Sequence, residues 1–504
     1  MIQLFGLSEQ MKKRAILVYI STYEKELHPA IFTLKAYALF HSKEDLTIKT
    51  RVIKPGRIKM MAGKPYEDIS GKQSDLIVDS ILKEKPLFVG FSTYVWNIRL
   101  TLKIIKLLKK KQPSLPVIVG GAEATYNAKK LINDYIEIDI AALDEGEETF
   151  VDLIKYFSHR KNNLGLIKGI VFRENKKIVE TEKRQPLDLK RIPSPYLMDL
   201  IKINKKQTIT METSRGCPFK CAYCSYNMFS YAHLRFFPLT NVKKEFVYIL
   251  KRKPKRIYVI DDNFNIYEPR AKKILSTITR HNHKTMITLF IRADVWPIKK
   301  TLAAKLANPR FYLAIGIQSL NTKTLAGAKR MHNTDVLNKN IQLLMEQGAN
   351  LIPQFIIGLP GDKYDDILSA IDWAFSVRPY DIMLQTLRIN PGTVYEKDAK
   401  KFGITYKKNP PYTIFRTNTM SEGELKKSER TAQTFQFLYR RISYRKKMLA
   451  FCKKTNLPIS VLLKKLCDLN PYSVIFLPKN KILKMIDYET NQIKNNYDRL
   501  HKKK

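Results

Sequence analysis

Long apolar runs are missing from this sequence. No stretch approaches the ~20 apolar residues that a helix needs to span a bilayer, which excludes a helical membrane anchor within it. The start, Met1 to Arg14, holds no apolar stretch of signal-peptide length ahead of a small-residue cleavage site, so the expected location is the cytoplasm. Cysteine is scarce: 5 in 504 residues, three of them between positions 217 and 224 and the others at 452 and 467. That is no disulfide framework, and a tight cluster in a reducing compartment reads as a metal or redox site. Acidic residues are few beside basic ones, 46 against 90, for a net charge of +44. Such a field attracts polyanions, acidic proteins and anionic membrane surfaces. The lysines are scattered along every segment, which favours a lysine-rich solvated surface over nucleic-acid binding. Zinc-finger, RRM and KH signatures are absent. So are a G-x-G-x-x-G after the first strand, a phosphate-binding P-loop and any solenoid repeat.

What is present is a core-forming composition, 44% apolar and 11% aromatic, in a chain long enough for about three domains of roughly 150 residues. The first part alternates apolar strands (Ala15–Ser21, Ile48–Lys54, Leu87–Thr93, Pro116–Gly121, Ile138–Leu143) with helical segments such as Pro29–His41, Asn97–Lys111 and Gly146–Phe157. Continuous apolar strands between helices mean a parallel sheet covered on both faces. The expected fold is α/β. A doubly wound, Rossmann-like sheet occupies residues 1–160, and a hairpin and basic linker 161–205. A partial (β/α)6 TIM-like barrel occupies 206–400, and a basic, mainly helical region 401–504. The barrel strands are expected at Thr208–Thr213, Arg256–Asp261, Thr288–Asp294, Tyr312–Gln318, Leu351–Ile357 and Asp381–Arg388, with helices at Pro269–His281, Asp335–Gln347 and Asp365–Ser376. In such sheets the site lies at the carboxyl ends of the strands. The tail Lys502–Lys504 reads as disordered.

Residues 215–225 read RGCPFKCAYCS, placing Cys217, Cys221 and Cys224 in a C-x3-C-x2-C array directly after a predicted strand. Three thiolates can ligate three irons of a cubane and leave the fourth open to a small ligand. Zinc is the rival, but structural zinc wants four ligands. No fourth Cys or His lies at finger spacing, His233 being nine residues beyond Cys224.

With Tyr223 as the aromatic before the last cysteine, this array resembles the signature of the radical S-adenosylmethionine enzymes. The resemblance implies a [4Fe–4S] cluster whose open iron chelates S-adenosylmethionine. Reductive cleavage then yields a 5′-deoxyadenosyl radical. Later segments are similar to that family's cofactor-contacting strand ends: Asp261 and Asp262 in IDDNF, Arg292 in IRAD, Gln318 and Ser319 in GIQS, and Gly358 in GLPG. Each is weak alone, since GLPG can be a simple turn and Asp261–Asp262 a helix cap.

Upstream, the strand-end loops GFSTY, GGAE and DEGEE resemble the cobalamin-binding domain of class B members of that family. Ser92, Thr93, Gly120, Gly121, Glu145 and Gly146 stand where that domain wraps the cofactor's nucleotide tail. The D-x-H-x-x-G of mutases is not kept: residues 26–31 read ELHPAI, and His28 reads as a helix-start residue rather than a cobalt ligand.

The resemblance therefore implies a cobalamin-dependent radical enzyme, most often one that methylates an unactivated carbon. It also implies a low-potential electron donor, ferredoxin or flavodoxin, for which the basic surface suits an acidic partner. The substrate is unassigned, small molecule or peptide, and no catalytic residue is named. Alternatives are an oxidative cyclase or rearrangement enzyme, a tRNA methylthiotransferase, and a non-catalytic cobalamin- or RNA-binding regulator. The methylthiotransferase is disfavoured because the first cysteine is Cys217, leaving none for an N-terminal second cluster. Arg440, Arg441, Arg445, Lys446 and Lys447 read first as a solvated face, and Cys452 and Cys467 as buried apolar residues.

Overall fold

The computed structural model describes residues 13–21, 26–54, 71–159, 163–228, 233–469 and 474–501. The tail 502–504 and nearly all of the N-terminal stretch weighed as a signal segment lie outside these residues. The chain divides into two compact units, Met1–Met211 with Arg235–Arg256, and Glu212–Leu234 with Ile257–Lys504. Among the described residues no helix is long and apolar enough to cross a membrane.

The first unit is built on β1 (Lys13–Ile20), α1 (Ala30–His41), β2 (Leu46–Ile53), α2 (Gly71–Leu82), β3 (Phe88–Ser92), α3 (Ile98–Lys111), β4 (Val117–Gly120), α4 (Ala122–Asp134), β5 (Ile140–Ala142) and α5 (Glu147–His159). The five strands pair in parallel in the order β2-β1-β3-β4-β5. Both faces are covered, which is why six consecutive β1 residues are buried. Alternate residues Ile16, Val18, Val89, Phe91, Val117 and Val119 meet α2, α3 and α4 through Val78, Ile104 and Leu131. On the other face Phe88 packs against Phe157 of α5, ring centres 4.9 Å apart. In this order the chain reverses direction between β1 and β3, and the carboxyl-end crevice there is the expected ligand position.

The segment expected as hairpin and linker is partly sheet. β6 (Ile170–Glu174) and β7 (Lys177–Glu180) add two antiparallel strands beyond β5. This unit also contains β8 (Thr208–Met211) and α6 (Leu239–Lys251).

The second unit holds β9 (Arg256–Val259), α7 (Glu268–His281), β10 (Met286–Ile291), α8 (Lys300–Leu306), β11 (Phe311–Gln318), α9 (Thr322–Gly327), α10 (Thr334–Glu346), β12 (Asn350–Ile357), α11 (Tyr364–Val377) and β13 (Met383–Thr386). Its strands run in chain order, β9-β10-β11-β12-β13, and the registers from β10 onward are parallel. Strand and helix alternate as the sequence predicts, so every strand's carboxyl end opens on the same side. After the short α12 (Val394–Lys397) come α13 (Glu422–Tyr439), α14 (Ile442–Thr455), α15 (Ile459–Leu469) and α16 (Lys479–His501). Helix α13 starts on a capping box, Ser421 with Glu424. It packs with α15 against α11, where Phe435 and Tyr439 meet Phe375 edge-on.

Candidate active site

Cys217, Cys221 and Cys224 lie on one short irregular segment of the second unit, with no helix or strand between the first two. Its middle is fixed from both sides. The Ala222 N–H donates to the Ala328 carbonyl (2.8 Å), and the Ala222 carbonyl accepts from the Tyr395 N–H (3.1 Å). Cys221 is buried and the other two are partly so. Burial pushes the Cys217 thiol up and the Cys224 thiol up to about 12, so this pocket favours neutral sulfur unless a cation compensates. Among the described residues no three His, Cys, Asp or Glu side chains converge as on a single ion. A cubane needs no such convergence, because each of its thiolates binds a different iron.

The end of β9 holds this loop. Asp261 is buried and accepts from the Thr213 N–H (2.6 Å), the Thr213 hydroxyl and the Ser214 N–H (3.1 Å). Arg270 donates to the Thr213 carbonyl (3.0 Å). The strand-end aspartate is thus spent on positioning the lead-in to the cysteines. Its neighbour Asp262 has no hydrogen-bond partner among the described residues. Burial, with Asp261 and Glu212 adding negative charge, pushes its carboxyl up to about 7. Asn263 reaches the loop directly, its amide donating to Cys217 Sγ at 3.3 Å.

Arg292 follows β10 and is bound in a fork to the fully buried Asp294 (2.6 and 3.0 Å), while also donating to the Met331 carbonyl (2.6 Å). Its guanidinium covers the ring of Phe219, in the cysteine loop, at 4.3 Å. Arg330 donates to Asp294 (2.8 Å), to the Gly316 carbonyl and to the Tyr223 hydroxyl (3.3 Å). Burial alone would raise the Asp294 carboxyl, but His332, Arg330 and Arg292 together hold it below the usual range.

Gln318 sits at a bulge of β11 with φ of +78° and makes no side-chain hydrogen bond among the described residues. The Ser319 hydroxyl donates to Asp362 (2.8 Å), whose buried carboxyl is pushed up to about 7. Gly358 has φ of +85°, and a Cβ there would lie 2.5 Å from Ile414 Cδ1. Its small size therefore serves packing as well as the turn. Of the seven strand-end and loop residues singled out by sequence, Asp262 and Gln318 keep polar groups free, while Tyr223, Asp261, Arg292 and Ser319 are engaged within the protein.

In the first unit the Thr93 hydroxyl donates to the Gly120 carbonyl (2.9 Å) and accepts from the Ala124 N–H (3.2 Å). A Cβ on Gly121, whose φ is +97°, would fall 2.7 Å from the Thr93 oxygen, so only glycine admits this contact. Glu145 forms a fork with Arg235 (2.9 and 3.0 Å) and accepts from the Leu187 N–H. Gly146 lies close to Leu34, and the Ser92 hydroxyl has no partner among the described residues. His28 Nδ1 faces the Ala30 N–H at 3.4 Å, and its ring lies against Tyr19 and Tyr94 at 5.6 and 5.2 Å. Tyr94 stacks on Trp96 at 4.6 Å and 3°.

Sequence reasoning missed Arg330 and Tyr395, and gave no individual role to Asn97 or to Asn263 and Asp294, which lie in the IDDNF and IRAD segments it singled out. Asn97 joins the reversal point, donating to the Ile20 carbonyl of β1 (3.2 Å) and the Ser92 carbonyl of β3 (3.0 Å). Its position before a helix was a readable cap signal. The contacts that give the others their place in the site run mostly between distant positions, 36 for Arg330 with Asp294, 46 for Asn263 with Cys217 and 107 for Arg330 with Tyr223, and one sequence carries no signal for such meetings.

Residues 66–154 match the model of the B12 binding domain, and residues 211–374 that of the Radical SAM superfamily. The chain is 26% identical over 294 residues to the cobalamin-dependent radical SAM methyltransferase TokK of Streptomyces tokunonensis, covering 55% of this chain and 43% of TokK. It is 25% identical over 321 residues to an anaerobic magnesium-protoporphyrin IX monomethyl ester cyclase of Synechocystis sp., covering 61% of this chain and 63% of the cyclase. The chain thus spans less than half the length of the first of these relatives. The solved structure of the cobalamin-dependent radical enzyme OxsB, with aqua-cobalamin and S-adenosylmethionine bound, superposes with a TM-score of 0.69 at 15% identity. That superposition covers 98% of this chain and 80% of OxsB, and establishes a shared fold.

Proposed function

We propose that the chain, matched by the B12 binding domain model over residues 66–154 and by the Radical SAM superfamily model over residues 211–374, is a cobalamin-dependent radical enzyme that methylates an unactivated carbon. The observation that carries the reading is the cysteine loop: three thiols, no fourth Cys or His converging with them among the described residues, and an amide from Asn263 already aimed at Cys217 Sγ. That donor set fits a site-differentiated [4Fe–4S] cluster. When bound, the cluster supplies the electron that breaks the S–C5′ bond of S-adenosylmethionine, and cobalamin carries the methyl group.

The chain's own residues do the rest. Cys217, Cys221 and Cys224 hold iron, and Asp261 with Arg270 holds the loop that presents them. Arg330 fixes Tyr223, and Arg292 covers Phe219, shielding the loop from water. Asp262 and Gln318 retain free polar groups to orient S-adenosylmethionine, Asp262 through its ammonium. In the first unit the backbone at Gly120–Gly121 and the free Ser92 hydroxyl offer contacts to a large cofactor. Thr93 and Glu145 serve as supports for those loops. Among the observed groups the flat Tyr94–Trp96 stack suits a macrocycle.

The cyclase match, which covers more of this chain than TokK does, supports an oxidative cyclisation as the second reading. Product analysis separates the two. Anaerobic protein with dithionite, S-adenosylmethionine and methylcobalamin forms 5′-deoxyadenosine under either reading. Methylation consumes a second S-adenosylmethionine, so S-adenosylhomocysteine accumulates one for one with it in turnover; cyclisation forms none. Absence of 5′-deoxyadenosine would sink the radical reading itself.

A further inference from the structure

The radical reading requires that an electron reach the cysteine loop from outside the chain. We infer that the exposed face carrying Lys220, Lys323, Lys329, Lys397 and Lys400 is the docking site of a small acidic one-electron carrier protein; the inference rests on the radical reading. Each of these lysines is exposed. None has a carboxylate partner among the described residues, unlike Lys111, paired with Asp75 and Asp79, or Lys447, paired with Asp487.

The positions of three of them tie the group to the loop, and Lys323 and Lys400 lie on the same two chain segments as Lys329 and Lys397. Lys220 is inside it, next to Cys221. Lys329 follows Ala328, whose carbonyl accepts from the Ala222 N–H, and Lys397 is two residues beyond Tyr395, whose N–H donates to the Ala222 carbonyl. With Cα atoms ~3.8 Å apart along the chain, both lysine backbones stand on the order of 10 Å from Ala222. Between Lys329 and Met331 the chain sends Arg330 inward to the Tyr223 hydroxyl at 3.3 Å. Met331 points outward and is 62% exposed. One short strand of backbone therefore presents a positive and an apolar group to solvent and touches the cysteine loop from behind.

The local carboxylates offset this charge only in part: Glu212 is paired with Arg215, while Glu396, accepting from the Gly392 N–H and the Tyr406 hydroxyl, and the partly buried Asp398 keep their charge against that of the five lysines. Unpaired lysines around an exposed methionine match the layout of transient redox complexes, which are small, below ~1,200 Å², and assembled by charge steering.

The test is the rate at which reduced flavodoxin hydroquinone, an acidic one-electron donor, reduces the reconstituted cluster in anaerobic stopped flow. The variant Lys329→Glu/Lys397→Glu/Lys400→Glu is compared with Lys446→Glu/Lys453→Glu/Lys454→Glu, which reverses exposed charges on α14. At low ionic strength the first variant is expected to lose at least tenfold in second-order rate and most of its salt dependence. The second is expected to stay within twofold of wild type, and dithionite-driven cleavage is expected to be unchanged in both. Equal rates for the first variant and wild type, or equal losses in the two variants, overturn the docking site while leaving the radical reading intact. An unchanged rate with loss of oligo(U) retention would make the face a polyanion site instead. A wild-type protein that dithionite cannot reduce overturns both readings.

Discussion

The Asn263 side-chain amide donates to Cys217 Sγ in the candidate cluster loop. A donor on a cluster sulfur favours the more negative, reduced state. Asn263→Ala is therefore expected to shift the midpoint potential downward, by up to about tenfold in the reduction equilibrium, or ~59 mV for one electron. A redox titration followed by electron paramagnetic resonance measures this, and an unmoved midpoint counts against the contact. Cys221→Ala is expected to bind substoichiometric iron and yield no 5′-deoxyadenosine, read by iron and sulfide analysis; full cleavage would contradict the ligand assignment. At this scale the sequence was readable where the chemistry is local. The three cysteines fall within one short segment, so their spacing announces them. Arg330 meets Tyr223 from 107 positions away, and neither residue type nor pattern forecasts that meeting.

Between elements, the loops after the strands hold one another through buried charge. Asp294 stands at the centre, fully buried and bonded to Arg292 and Arg330. Removing one member of such a cluster leaves uncompensated charge, at a cost of about 3–5 kcal/mol. Asp294→Ala should lower the unfolding free energy by that order in urea titrations; a loss under about 1 kcal/mol would show that the arginines find other partners. Asp362 acts in the opposite sense. Burial raises its carboxyl to about 7, against the hydrogen bond from Ser319 and with the negative charge of Asp366 adding to the rise. Below about pH 4 it is protonated in both folded and unfolded chains. As pH rises from there to about 7, the unfolded chain ionises first, so stability falls across that window and then levels. At roughly 1.4 kcal/mol per unit the swing is on the order of 4 kcal/mol. Asp362→Asn should remove it, which unfolding curves at pH 5 and pH 8 will reveal. Strand and helix alternation was legible because apolar runs mark buried parallel strands. The attachment of β6 and β7 to β5 was not, since hairpin periodicity states only that two strands pair, not which edge receives them.

Taken over the whole molecule, the charge is the largest feature that composition alone displays. A net +44 repels itself within each compact unit. Screening falls to a Debye length of ~8 Å at physiological salt, so added sodium chloride up to physiological strength should raise the thermal midpoint. A midpoint that drops over that range would show that ion pairs such as Lys49 and Arg51 with Glu84 outweigh the repulsion. Composition correctly signals a basic surface, yet it does not say which lysines stand near the cysteine loop, because that depends on the fold bringing residues 329 and 397 back to position 222.

The same return has a consequence in time. Ala222 is held by the Tyr395 N–H, about 170 residues further along the chain. Synthesis at roughly 5–20 residues per second separates the two by on the order of ten seconds or more. During that interval the three thiols are outside the ribosome without the backbone contact that fixes them. If these thiols take the cluster proposed above, iron delivered then would meet a loose, oxidisable segment, and insertion after translation has passed Tyr395 would meet a fixed one.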